Sequence, residues 1–139
     1  MYFWNIKNLK QDIKEKKLTE KDYFNYFFAT TIIGSLGIFL LTSFPIGLEN
    51  IDITNELLVL LITILGTYYT FKCNKGEKGK NFLGKFTSIS FVCLIKYMLV
   101  VSIIEIFAEL NTLINYIPTA LYVVYFYYVG KNLKELKDY

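Results

Sequence analysis

The basic chemistry of this sequence is carried by lysine alone. All fifteen basic residues are lysine, and the 139 residues contain neither arginine nor histidine. A His-based nucleophilic triad and a His-ligated metal site are therefore excluded. Cys73 and Cys93 lack CxxC spacing, so free thiols are expected rather than a disulfide or a zinc site. No close pair of carboxylates within the apolar runs is available for acid–base work. The chain is not expected to be an enzyme, and no catalytic residue, metal or cofactor is expected. Lysines can bind anions, and five of them, Lys72, Lys75, Lys78, Lys80 and Lys85, share the fourteen-residue stretch KCNKGEKGKNFLGK at 72–85. These five are the candidate ligand contacts. Their chemistry suits anionic lipid headgroups, a nucleotide or single-stranded oligonucleotide, or no ligand at all, if they only set topology. The stretch also holds GxxxxGK at 79–85. A P-loop needs Ser or Thr next and a strand before it. Here Phe86 follows, Thr87 comes one position late, and a long apolar segment precedes. An NTPase is not expected.

Lys96 is the one lysine outside three lysine-rich segments. It lies about ten residues into an apolar run, or ~15 Å along a helix axis. A charge at such depth in a bilayer costs at least ~2.5 to 3.5 kcal/mol. It must snorkel, find a partner, or face water or an anionic ligand. Lys85 and Cys93 fall on the same helical face, so a basic stripe leading inward is geometrically open. One run earlier, Glu56, Thr63, Thr67 and Thr70 recur at spacings of seven, four and three, with Gly66 beside them. That face is either a packing face of small residues and weak hydrogen bonds or a polar pore wall. On the second reading Glu56, Thr63, Thr67, Thr70 and Lys96 are the candidate pore lining. Glu56, Glu105 and Glu109 are either an acidic outer mouth or solvated helix ends.

The elements that must position these groups are membrane helices. The sequence is 54% hydrophobic and 18% aromatic, with mean hydropathy +0.38. A single soluble core of this size could not hide so much apolar surface. Four runs, about 24–44, 53–71, 86–107 and 112–130, each approach the ~20 residues that cross a ~30 Å hydrocarbon layer, and in lipid such runs must be helices. Lysines fill the N-terminal segment, the middle loop and the C-terminus, while the two other connections have none. Positive-inside logic places both termini and the loop in the cytoplasm. Tyr23, Tyr26, Tyr68, Tyr69, Tyr125, Tyr127 and Tyr128 gather at the expected inner interface. The first 23 residues show alternating charge and no long apolar run, so no secretory signal is expected.

Tyr2, Ile6, Leu9 and Ile13 recur at helical spacing with Trp4 nearby, which predicts an amphipathic N-terminal helix lying on the membrane or against the bundle. Thr19 and Asp22 are spaced as a capping box for the first span, with Asp where Glu or Gln is usual, and Leu18 and Tyr23 stand where a hydrophobic staple would pack. Pro118 kinks the fourth helix or marks its start. Val129, Leu133 and Leu136 keep helical spacing beyond the membrane. The expected fold is a single all-α domain over 1–139: a four-transmembrane-helix bundle with an N-terminal interfacial helix and a cytoplasmic extension of the fourth helix.

The stretch YYTFKCNKGEKGKNFLGKF at 68–86, followed by the embedded base Lys96, resembles small four-helix bacterial membrane proteins. Those carry an Asn-Gly-Gly-x-x-Gly-x-x-Phe-like loop and an Arg or Lys in the third helix; here Lys75 stands in place of the first of those glycines. The resemblance extends to membrane effectors of anti-phage systems, including the channel of the Hailong type, held shut by an oligodeoxyadenylate from a partner nucleotidyltransferase. It implies a homo-oligomeric pore in the bacterial inner membrane, gated from the cytoplasm, with the five loop lysines as ligand contacts. The lysine-for-arginine composition, rich in Ile, Asn, Phe and Tyr, also looks like that of an AT-rich bacterial genome. The alternative is an accessory or assembly subunit packed on a larger membrane partner protein.

Overall fold

The computed structural model describes residues 1–43, 53–108 and 116–139. The expected outer connections, Glu109 and the start of the fourth span at 112 lie outside the described residues, as does the side chain of Glu105. The described residues are all-helical: α1 (Ile6–Lys14), α2 (Glu20–Ser43), α3 (Ile53–Cys73), α4 (Phe82–Ala108) and α5 (Ile117–Lys134), with a 3-10 turn at Gly76–Lys78 between α3 and α4.

Local sequence sets the ends of these helices. The Asn5 side chain accepts from the Asn8 amide at 3.1 Å and starts α1. At α2 the capping box forms. The Thr19 amide donates to Asp22 Oδ2 at 2.8 Å, and the Asp22 amide donates back to Thr19 Oγ1 at 3.3 Å. Aspartate is shorter than the usual glutamate, yet it reaches. Of the two roles open to Pro118, the second holds. The residue sits in the first turn of α5, where a missing N–H costs nothing.

The α1 stripe is buried in protein. Ile6, Leu9 and Ile13 pack into one cluster with Tyr26, Ile89, Phe91, Val92, Val129, Leu133 and Leu136. The Tyr2 amide donates to the Tyr26 hydroxyl at 2.6 Å. Of the two expected positions for this helix, against the bundle is the one observed. Phe3 and Trp4, 60% and 59% exposed, stay outside.

The long helices pair α2 with α4, α4 with α5, and α5 with α3. Among the described residues no comparably extensive contact closes α2 onto α3. The expected bundle is thus an open row, α2–α4–α5–α3. Tight packing at α3–α5 has a visible cause: a β-carbon on Gly66 would overlap the Phe126 ring, and one on Gly130 would overlap the Tyr69 ring. Two small residues let the helices approach, and a ring from the opposite helix fills each gap.

Two ends of the row differ in kind. At the lysine-rich end, apolar and polar side chains are buried together, Thr70, Asn74, Lys85, Ser88 and Asn132 among them. Most of these polar groups bond inside the protein. Ser88 Oγ donates to the Gly84 carbonyl at 2.7 Å, and Asn132 Nδ2 to the Tyr128 carbonyl at 2.7 Å. Toward the other end, Ile53, Leu57, Leu60, Leu61, Ile64 and Leu65 of α3, and Met98, Leu99, Val100 and Ile103 of α4, point outward. Among the described residues, α3 and the Phe82–Ile104 part of α4 are long and apolar enough to cross a membrane. Only 11% of the most apolar window of α3 is buried, and 33% of that of α4, which is not how the core helix of a soluble protein sits. An outward apolar surface of this extent marks an interaction with lipid or protein.

Candidate functional site

The lysine stretch 72–85 folds into a turn that grips the segment 135–139 beyond α5. α3 stops because Lys75 adopts a left-handed backbone, φ 70°. Asn81 takes φ 48° just before α4 begins. Asn74, just before Lys75, is fully buried. Lys85, in the first turn of α4, is 2% exposed. Its Nζ donates to the Tyr139 main-chain oxygen at 2.6 Å, to the Leu136 oxygen at 3.0 Å, and to Asn74 Oδ1 at 3.4 Å. The last carbonyls beyond a helix C-terminus lack intrahelical partners, and an ammonium satisfies them while opposing the negative end of the helix dipole. Lys85 thus caps the extension of α5 from a distant part of the sequence.

Three more lysines hold the same segment. Lys75 pairs with Asp138, Lys10 of α1 pairs with Glu135 at 2.6 Å, and Lys14 Nζ stands 5.4 Å from the centre of the Tyr139 ring. The hydrogen bond from Lys75 holds the Asp138 carboxyl below the usual carboxylate range. The bond from Lys10 does the same for Glu135. Both pairs face solvent, so each contributes little alone. The buried Lys85 contacts are the firmer part of the clasp.

The five loop lysines therefore divide. Lys85 is engaged by main-chain oxygens and Lys75 by Asp138. Lys72 lies over the Tyr68 ring at 5.2 Å. Lys78 and Lys80 are exposed and in no ion pair among the described residues. A surface hollow of about 380 Å³ is lined by Tyr68, Phe71, Lys72, Lys75, Glu77 and Lys78. It brings two aromatic rings and three ammonium groups together. Asn74 Nδ2 is buried with no hydrogen-bond partner.

The other candidates are placed as follows. On α3, Glu56 and Thr67 are exposed and Thr70 is buried. Thr63 Oγ1 donates to the Val59 carbonyl at 2.8 Å and lies 3.4 Å from the Tyr122 hydroxyl of α5. Thr70 Oγ1 donates to the Thr67 carbonyl at 2.8 Å. One side of the polar stripe thus turns toward α5 and the other stays open. Lys96 Nζ stands 5.1 Å from the centre of the Trp4 ring. The basic stripe from Lys85 to Lys96 is not formed, because Lys85 turns to the chain end and Lys96 to Trp4. Sequence reasoning missed Asn74 as a Lys85 partner and Asn55, whose Oδ1 accepts from Thr119 of α5 at 2.6 Å. A polar residue opposite another on a neighbouring helix leaves no mark in the spacing of its own.

Among the described residues, fold and site together define an all-helical protein with two helices fit to cross a membrane and a lysine clasp at one end. Comparison with protein-family models, with curated proteins and with solved structures finds no match.

Proposed function

We propose that this chain is a multi-pass protein of the bacterial inner membrane, with four spans and with both termini and the lysine loop in the cytoplasm. On this reading it assembles as a homo-oligomeric pore gated from the cytoplasm by a nucleotide or single-stranded oligonucleotide. Outward apolar faces and the lysine distribution support the topology. The open row supports assembly. The described helices form a row rather than a closed ring, so on this reading an aqueous path needs several copies. α3, at one edge of the row, is the helix that would face an axis, and Glu56 and Thr67 are the stripe members left exposed for a lining. The anti-phage role implied by the resemblance fits such a pore.

The observation that carries the gating is the double use of Lys75. It lines the hollow beside Tyr68, Phe71, Lys72 and Lys78, and it also pairs with Asp138. Aromatic rings with ammonium groups suit a stacked base and its phosphate. An anion in the hollow competes with Asp138 for Lys75 and loosens one strand of the clasp. The test is ion flux from liposomes carrying the purified protein, with and without short oligonucleotides. Ligand-dependent flux, altered in Lys72→Ala/Lys78→Ala, supports the reading. No flux under any ligand, together with a monomeric particle in detergent, overturns it.

The exposed edge of α3 also suits a partner helix, which favours the second reading, an accessory subunit of a larger membrane complex. Purification in a stable heteromeric assembly selects it.

A further inference from the structure

One lysine that the clasp does not use, Lys96, points to a ligand. Lys96 lies in a groove between α4 and α5, about 180 Å³ in volume, with Tyr97, Val100, Leu121, Val124 and Tyr125 among its walls. It is the only charged residue of the lining. Among the described residues no carboxylate pairs with it. Its one close partner is the Trp4 ring, and that contact leaves the positive charge unneutralised. We infer that this groove is a binding site for an anionic membrane phospholipid, with the Lys96 ammonium on the headgroup phosphate and Trp4 beside it.

Five observations converge on that occupant. A cation among apolar walls needs a counter-anion, because removing it from water is costly and the groove offers no acid. The groove is smaller than the ~300 to 1,000 Å³ of sites that enclose a whole small molecule. It fits part of an acyl chain whose remainder lies in the bilayer. Val100, Val124 and Tyr128 are exposed beside it, so a chain can enter sideways from lipid. Trp4 stands 5.1 Å from the ammonium and Tyr97, Tyr125 and Tyr128 line the groove, and these are residue types that settle at headgroup depth. One ammonium without a second cation in the lining suits the single negative charge of a phosphodiester better than a soluble polyphosphate. The site also gives α1 a membrane task. Its apolar stripe is fixed in the core, and Trp4, just before its first turn, meets the Lys96 ammonium.

The inference rests on the bilayer reading above and is independent of the pore. Trp4 is the only tryptophan, so its fluorescence reports on this site alone. The protein is placed in nanodiscs of zwitterionic lipid containing a small fraction of brominated phosphatidylglycerol or, separately, brominated phosphatidylcholine. Quenching by the anionic bromolipid should exceed that by the zwitterionic one about fivefold in effective affinity, the factor equivalent to the ~1 kcal/mol a lysine gains beside anionic headgroups. Lys96→Met should abolish the preference and Lys96→Arg should keep it. Equal quenching by the two lipids overturns the inference. So does a preference that survives in Lys96→Met, which would assign it to surface lysines, or an equal response in detergent to glycerol phosphate, which would make the ligand a free phosphate. If Lys96→Met does not fold, the wild-type comparison and Lys96→Arg still decide. Failure to enter nanodiscs of any composition overturns the bilayer reading itself, an outcome distinct from entry without lipid preference.

Discussion

The Lys85 ammonium donates to the main-chain oxygen of Leu136 at 3.0 Å, across fifty-one residues of sequence. With the Tyr139 oxygen at 2.6 Å, it ties the first turn of α4 to the end of the α5 extension. Lys85→Met keeps the apolar stem and deletes the donor. The fully buried Asn74 Oδ1 also loses this donor, and an acceptor left buried without a partner costs about 1–3 kcal/mol. The expected outcome is a lower thermal midpoint in detergent and faster cleavage by a lysine-specific protease after Lys134 or Lys137. Unchanged cleavage would mean that the extension is held by its apolar contacts, Leu133 and Leu136, rather than by the amine.

Acid should loosen the same segment. Hydrogen bonds from Lys75 and Lys10 hold the Asp138 and Glu135 carboxyls below the ordinary range. A carboxyl whose folded pKa is depressed contributes stability that is present above its unfolded value, about 4, and lost as pH falls through the lower folded value. A spin label at Lys137→Cys should therefore be immobile from about pH 6 to 8 and gain mobility only below about pH 4. High salt should produce part of the gain at neutral pH, since both pairs are exposed to screening. In Asp138→Asn/Glu135→Gln the acid step should disappear. Mobility that never changes with pH in the wild type would show that the two ion pairs do not hold the segment.

Much of the helical layout was legible because it is local. The spacing of Ile6, Leu9 and Ile13 marked α1, Thr19 and Asp22 marked the start of α2, and Pro118 left a choice between a kink and a start in α5. Each signal depends on neighbours within four residues or one turn. Lateral order was not legible. Nothing in the α3 sequence says that it packs on α5 rather than on α2, and the small residues that permit contact, Gly66 and Gly130, name no partner. The site divided in the same way. The lysine loop was located by count, but the direction in which Lys75 and Lys85 point depends on a segment more than fifty residues away. Lys96 was singled out by its depth, while its partner Trp4 lies on an element that periodicity could place either in lipid or on protein.

The α3–α5 contact predicts opposite effects for two glycines. A β-carbon on Gly66 overlaps the Phe126 ring, whereas one on Gly34 of α2 meets nothing within 4 Å. Gly66→Ala should destabilise by about 1–3 kcal/mol, the usual cost of overpacking. Gly34→Ala should be neutral or stabilising by up to about 1 kcal/mol through helix propensity. Thermal unfolding in one detergent measures both. Adding Phe126→Leu to Gly66→Ala should cost less than the sum of the single changes, because the second residue yields the space that the first occupies. Strict additivity would mean that the two residues are not in contact.

The capping box at the start of α2 gives a test on the first turn of that helix. Thr19 Oγ1 accepts from the Asp22 amide, and Asp22 accepts from both the amide and the hydroxyl of Thr19. These bonds, the hydroxyl first, hold the Asp22 carboxyl below its ordinary range. Thr19→Ala should cost about 1 kcal/mol. Thr19→Ser, which keeps the hydroxyl, should cost much less. Asp22→Glu restores the residue type that most boxes use and should retain most of the stability, since its longer side chain still reaches the Thr19 amide. The acid-sensitive part of the effect follows the carboxyl. It is present above about pH 4, is lost as pH falls through the lower folded value, and is absent from Asp22→Asn. If Thr19→Ala and Thr19→Ser prove equally stable, the hydroxyl contributes nothing and α2 is anchored instead by Tyr26 in the core beneath α1.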